Sequence, residues 1–260
     1  MNPFERSAPP RPVPLPQTFV WRRGGSNLRQ VWFVGWVCVL LVVALLAGCH
    51  SPQSAGSNPV ASVSRTNYPA NWWTPVPTNG APSWEIFPQD AAPGEVILSK
   101  RNELGLLSNF AATPFEFRGK RYASVEGFWQ MMKYPEGPDD PRAAFPGIIW
   151  PHTREEVAQM SGFDAKHAGD VGSENMRKMG IDWVTFEGRK LEYHAPGESD
   201  FYRLIVAAMH AKVQQNPDVK RVLLATGDLV LKPDHHQETN AAAAWKYYEI
   251  WMRIRSELRK

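Results

Sequence analysis

The chain has 260 residues, 43% hydrophobic and 21% charged, an ordinary globular composition with apolar material for one core plus appendages. Its formal charge of +3 belongs to the N-terminal arm: residues 1–30 hold five arginines and one acid, leaving 24 basic against 25 acidic residues from position 31 onward, so the body lacks the basic excess that marks nucleic-acid binding. The two cysteines, Cys38 and Cys49, lie within or at the end of an apolar run, which excludes a disulfide framework, a thiolate metal site and a cysteine nucleophile from the body.

In chain order the first element is that run. Residues 31–47, VWFVGWVCVLLVVALLA, carry no charge; Arg22, Arg23 and Arg29 precede them and Gly48-Cys49 follows. A positive region, an apolar region and small residues at its end are the layout of an export signal. Leu46-Ala47-Gly48-Cys49 resembles a bacterial lipobox, which implies cleavage before Cys49 and acylation of that cysteine. The run also meets the roughly 17 to 20 residues that an uncleaved transmembrane helix needs. Under either reading the arginine-bearing arm stays inside, and the body is expected on the outer side, in a bacterial cell envelope. A product translated from a start after the run would be cytoplasmic. Residues 1–49 are therefore read as signal or anchor. Residues 50–94, rich in Pro, Ser, Asn and Ala, are read as a tether. Trp72, Trp73 and Trp84 lie within it, and disordered tethers rarely hold tryptophan, so packing against the body is expected from about Asn71.

Residues 95–260 are read as one domain. Residues 95–100, EVILSK, predict a strand, and residues 114–123 a hairpin that alternates Phe115, Phe117 and Tyr122 around a turn at Arg118-Gly119-Lys120. Ser124 offers an N-cap for a helix running to Lys133, with Glu126 in its first turn. The Pro/Gly/Asp cluster at 135–141 ends it. Thr153 with Glu156 forms a capping box, and a further helix covers 164–169. Residues 200–215 bury one face through Phe201, Leu204, Ile205, Ala208, Met209 and Val213. Residues 219–226 are apolar but too short to assign, and a last helix is expected over 243–258. The sum is an α+β domain, predominantly helical, with a small hairpin or sheet.

Familiar catalytic signatures are absent: no glycine-rich phosphate loop, nucleophile elbow or HExxH. The adjacent pair His235-His236 would point to opposite faces of an extended segment, a poor chelate, and no metal or other cofactor is expected. The helix after Ser124 is more informative. Glu126, Gln130 and Lys133 share one stripe, with the outer two about 10 Å apart along the axis. A carboxylate, an amide and an ammonium in a row suit a cleft for a sugar or nucleotide; they equally describe a solvated face with a capping glutamate.

Leu107-Ser108-Asn109-Phe110-Ala111, Pro114-Phe115, Gly119-Lys120-Arg121-Tyr122 and the run SVEGFWQMMKY from Ser124 to Tyr134 resemble, in order, the motifs of the NADAR family. Ala165-Lys166-His167-Ala168-Gly169, Asp182-Trp183, Ala211-Lys212 and Leu223-Leu224-Ala225-Thr226-Gly227-Asp228 continue the series, so that the resemblance covers about residues 96–255. It implies a mostly helical α+β fold and hydrolysis of N-glycosidic bonds, in ribosylamino-pyrimidine intermediates of the riboflavin pathway or between ADP-ribose and guanine. It implies catalytic roles for Glu126, Lys133 and Asp234, and substrate contacts for Asn109, Phe110, Gln130, Trp183 and Asp228. The partner so implied is a small nucleotide or an ADP-ribosylated guanine, with the membrane as a second partner through Cys49 or the apolar run. A non-catalytic ADP-ribose- or nucleotide-binding lipoprotein is the alternative.

Chemistry supplies roles for these residues. Cleaving an N-glycoside passes through an oxocarbenium-like sugar, which a carboxylate stabilises while another group protonates the leaving nitrogen. Lys133 could form a Schiff base with the sugar's C1, and Trp183 could stack on base or ribose or simply fill the core. Asp228 is either a ligand contact or a turn residue that holds its loop. The chain departs from the family pattern at Gly127-Phe128, where His-Tyr is usual, in extra length around 187–197, and at His235-His236-Gln237 in place of Trp-Gly.

Overall fold

The structure, a computed structural model, describes residues 64–238 and 240–260. The signal or anchor expected at 1–49, with Cys49, and the first part of the tether lie outside the described residues. No helix among the described residues is long and apolar enough to cross a membrane.

The domain is α+β. In order it runs β1 (Glu95–Ile97), β2 (Phe115–Phe117), β3 (Lys120–Tyr122), α1 (Val125–Met131), α2 (Arg154–Ala158), α3 (Gly162–Met179), β4 (Trp183–Phe186), β5 (Arg189–Glu192), α4 (Asp200–Gln215), α5 (Pro217–Ala225), β6 (Val230–Lys232) and α6 (Tyr247–Leu258). The strands form three separate pairs: β1 with β6, β2 with β3, and β4 with β5. The first is parallel, with Val96 opposite Leu231, and the other two are hairpins. Both hairpins turn through two successive residues of positive φ, Arg118-Gly119 and Glu187-Gly188, as tight hairpin turns require.

Local chemistry sets most helix ends. Ser124 Oγ accepts from the Gly127 N–H at 2.8 Å, Ser199 Oγ from Tyr202 at 3.1 Å, and Thr153 with Glu156 completes the expected capping box. Several expectations need correction: α1 ends at Met131 rather than Lys133, and the last helix begins at Tyr247, after a separate helical turn at Ala243–Trp245, rather than at 243. The strand at 95 stops at Ile97 rather than Lys100: Leu98 still donates to the Lys232 carbonyl at 2.9 Å, and the chain then turns at Lys100 and Arg101. The helix expected over 164–169 extends to Met179. Its buried stripe is Ala165, Ala168, Gly169, Gly172 and Met176, a helical period written in small residues and so faint to a hydrophobicity reading. Of residues 219–226, unassigned from sequence, all but the C-cap Thr226 belong to α5, which Pro217 opens and Val219, Val222 and Leu223 bury. The β4–β5 hairpin and β6 have no counterpart in the expectations.

α1 lies at the centre, packed against α2, α3 and α4. Small residues make this approach possible. A Cβ on Gly127 would come within 2.4 Å of the Met160 carbonyl, and one on Gly172 within 2.9 Å of Lys133 Cβ. Position 127 therefore has no room for a side chain, because the carbonyls of Val157, Ala158 and Met160 occupy that space. The chain before β1 also belongs to the core: Trp72 and Trp73 are buried, their indole N–H groups donating to Glu103 Oε1 and the Glu95 carbonyl, both at 2.9 Å. Among the described residues, packing is already present at Arg65, which donates to the Ala91 carbonyl at 2.6 Å, before the expected Asn71. Trp84 does not join the core and is 41% exposed.

Candidate active site

The stripe on α1 is buried, not solvated. Glu126, Gln130 and Lys133 are all buried, and Gln130 Nε2 donates to Glu126 Oε1 at 2.7 Å. Lys133 Nζ donates to Ser173 Oγ at 2.7 Å and to the Gly169 carbonyl at 3.2 Å, and it faces the Tyr193 ring 5.0 Å from its centre. Burial pushes the Glu126 carboxyl above the usual range; the bond from Gln130 and the charge of Lys133 only partly oppose this. Burial likewise lowers the Lys133 ammonium to about 8.

Two buried arginines hold the far end of this helix. Arg154 donates to the Met131 and Tyr134 carbonyls at 3.2 and 2.8 Å, and Arg142 to those of Met132 and Lys133 at 3.1 and 3.0 Å. These carbonyls lie at and just past the end of α1, where that of Met131 also accepts from the Tyr134 N–H and that of Met132 from the Thr185 N–H, and cations there suit the helix dipole. Arg142 is itself paired with the partly buried Asp140 at 2.7 Å.

Asn109 and Phe110 sit on a segment gripped from four directions. The carbonyl of Leu107 accepts from the Trp251 indole at 2.6 Å and that of Ser108 from Lys212 Nζ at 2.9 Å. The Asn109 carbonyl accepts from the Glu126 N–H at 2.9 Å, and the Phe110 carbonyl from the Gly162 N–H at 3.0 Å. Four successive carbonyls are thus tied to α6, α4, α1 and α3. Lys212 is fully buried, and burial lowers its ammonium to about 7. So held, Asn109 keeps a buried Oδ1 without a partner, and the Phe110 ring meets Phe163 edge-on at 5.4 Å.

Asp234 follows β6 and is buried. Lys100 Nζ and Asp234 Oδ2 form an ion pair, His235 Nδ1 lies 3.1 Å from Oδ1, and the Tyr247 hydroxyl donates to Oδ1 at 3.4 Å. Burial would raise this carboxyl, but His235 and Lys100 outweigh it and hold Asp234 below the ordinary range. Lys100 connects this group to the stripe. Its Nζ stands 4.9 Å over the Phe110 ring, and its charge acts on Glu126 as well as on Asp234.

Glu126, Gln130, Lys133, Asn109, Phe110 and Asp234 therefore belong to one connected cluster; Trp183 and Asp228 do not. Trp183 lies on β4, with Arg142 5.0 Å and Lys190 4.2 Å from its ring, and lines a surface cleft with Glu136, Asp140 and Thr185. None of the contacts of the cluster involves it. Asp228 is 80% exposed and bound to Arg259 at 2.7 Å, so it holds the turn after α5. The sequence reading missed Lys100, Tyr193, Lys212 and the two arginines. Tyr193 was within reach, since Trp183 to Phe186 and Arg189 to Glu192 flank a Glu-Gly turn in the pattern of a hairpin that ends beside it. Among the described residues no three histidine, aspartate or glutamate side chains converge as a metal site.

No family model matches the chain, and no curated protein does. Among solved structures, the chain is similar to the E. coli protein YbiA. The NMR structure of that protein is 20% identical, covers 65% of this chain and 88% of its own, and superposes with a TM-score of 0.40.

The cluster holds two buried carboxyls in opposed environments. Glu126 is shielded from water and held toward its neutral form; Asp234 is paired with Lys100, lies beside His235, and is held toward its ionised form. Such a pair can supply an acid and an anion at one pH. Lys133, just past the end of α1, adds an amine of lowered basicity.

Proposed function

We propose that the protein is an N-glycosidase that hydrolyses a nucleotide-type N-glycosidic bond, with ribosylamino-pyrimidine phosphates and ADP-ribosylated guanine as the first substrates to test. The observation that carries this reading is two buried carboxyls in opposed surroundings, Glu126 enclosed beside Gln130 and Asp234 paired with Lys100 and His235. Both known requirements of the chemistry are met by side chains of this kind: an acid for the leaving nitrogen and an anion for the developing oxocarbenium.

In the proposed reaction the C1′–N bond breaks and its electron pair leaves on the base nitrogen, which takes the Glu126 proton. Asp234 faces the positive sugar. Water adds hydroxide to C1′, its proton passing to Asp234, and exchange with solvent restores both groups. Asn109 and Gln130 present buried carbonyl oxygens without partners, acceptors suited to sugar hydroxyls or a base amino group. Lys133 is the candidate for a covalent route. At about 8 its ammonium leaves roughly a tenth of the side chain neutral at pH 7, enough to displace the protonated base at C1′. Opening of the C1′–O4′ bond, with a proton passing from the amine to O4′, then gives a Schiff base that water hydrolyses.

Purified protein incubated with each substrate should release free base, and borohydride should trap an adduct on Lys133 only if the covalent route operates. Glu126→Gln should lower kcat by 100-fold or more, on the order expected for loss of a general acid. Ligand bound without release of base by the parent protein would instead support the binding reading. We further propose that the lipobox-like segment carries this body outside the cytoplasm on an acyl anchor. Labelled palmitate should then be incorporated by the parent and not by Cys49→Ser.

A further inference from the structure

The chain before β1 precedes every motif on which the family resemblance rests, yet it reaches the site. Residues 84–86 run antiparallel to residues 234–236, with Glu85 opposite His235. The Ile86 N–H donates to the Asp234 carbonyl at 2.9 Å, and the His236 N–H to the Trp84 carbonyl at 3.1 Å. These bonds meet the chain where it has left β6 and has no ladder of its own.

A second set of contacts reinforces the pairing through side chains. Lys100 and Arg101, adjacent on the turn after β1, hold one carboxylate from each paired segment. Lys100 binds Asp234, while Arg101 binds Glu85 in a bidentate fork, Nε to Oε1 at 2.6 Å and Nη2 to Oε2 at 2.8 Å. The strap is anchored on both sides of residue 85. Trp72 and Trp73 are buried upstream, Gln89 exchanges two 3.2 Å bonds with the Val76 backbone, and Asp90 accepts from the Phe87 N–H at 2.9 Å. A structural role alone would be met by the buried tryptophans; the bridge at 84–86 adds contacts whose partner is the site itself.

We propose that this strap is a working part of the site, residues 84–86 fixing the backbone of Asp234 and the Glu85–Arg101 pair acting as a positioning pair for its carboxylate. This rests on the reading of Asp234 as the anion that faces the sugar. Three groups face that carboxylate, Lys100, His235 and Tyr247, and the strap governs how closely the first two meet it, because it binds the backbone on either side of His235 and the residue next to Lys100.

The test uses the full chain in detergent, labelled with ¹³C at aspartate, the Asp234 carboxyl being assigned by Asp234→Asn. In the parent this carboxyl should titrate below the ordinary range. Ile86→Pro, which removes the donor to Asp234, and Glu85→Gln, which keeps the backbone and removes the charge, should both move the midpoint upward. Both should lower kcat, about tenfold for Ile86→Pro, with KM unchanged. The charge-reversed double variant Glu85→Arg with Arg101→Glu should recover most of the loss. Folded variants with an unmoved Asp234 midpoint and unchanged kcat would overturn the proposal, as would a kcat that falls only in step with melting temperature. Should Ile86→Pro fail to fold, Glu85→Gln and the reversed pair decide by the same readouts. A parent that releases no base leaves the carboxyl titration to decide the positioning, and it is then the N-glycosidase reading that fails.

Discussion

At the residue scale, Glu126 carries two opposing demands. Burial disfavours its charged form, so the protein loses stability as pH rises through the raised folded value and the unfolded chain holds fewer protons. Glutamine keeps the shape and still meets Gln130, but carries no charge. Glu126→Gln should therefore melt a few degrees higher than the parent at pH 7, by about 2–4 °C per kcal/mol gained, while its activity falls. Thermal melts at pH 5 and pH 7 check this, because the gain should shrink at the lower pH, where ionisation of the unfolded chain favours unfolding less. A melting temperature lower at both pH values would show that the ionised glutamate stabilises the fold, contrary to its surroundings.

At the scale of elements, the site depends on how closely α1 lies on α3. A Cβ placed on Gly169 would stand 2.0 Å from Gln130 Oε1, so Gly169→Ala must displace the side chain that holds Glu126. Overpacking of this kind typically costs about 1–3 kcal/mol. Urea denaturation should show that loss with an unchanged m-value. Activity should fall by more than the stability loss accounts for, because the variant disturbs Gln130 directly. The same logic explains the two arginines. α1 is only seven residues long, too short to be stable by propensity, and its end is held instead by Arg142 and Arg154 reaching from the following loop and α2.

At the scale of the whole molecule, the site is assembled from segments far apart in the chain: residue 100, residues 107–110, α1, α3, residue 193 and residue 234. Lys212 is one of the ties between them, and its lowered value has a global consequence. From about pH 7 to the ordinary lysine range the unfolded chain binds a proton that the folded protein has released, so folding stability rises with pH over that window. Lys133 adds the same sign from about pH 8. The slope of stability against pH between 7 and 9.5 should therefore be positive, and Lys212→Met should flatten it. The variant should also loosen residues 107–110, since the Ser108 carbonyl loses its donor, and hydrogen exchange at Ser108 to Phe110 would report this. A slope unchanged in the variant would show that Lys212 does not titrate in that range.

Much of this architecture was legible in the amino-acid order itself. Serine and threonine caps, the Gly-marked hairpin turn and the apolar stripe of α4 are local patterns, decided by neighbours within four residues. They locate α1 and put Glu126, Gln130 and Lys133 on one side of it. What the order could not show is whether that side faces water or protein, because spacing is the same in both cases. The structure decided it: α3 presents Gly169 and Gly172, small enough for polar side chains to lie flat and be buried, and burial is what shifts Glu126 and Lys133. Tertiary packing likewise separated Trp183 and Asp228 from the cluster and brought in Lys100, Tyr193 and residues 84–86. Those contacts span tens to more than a hundred residues, and long-range pairing leaves no period in the sequence to read.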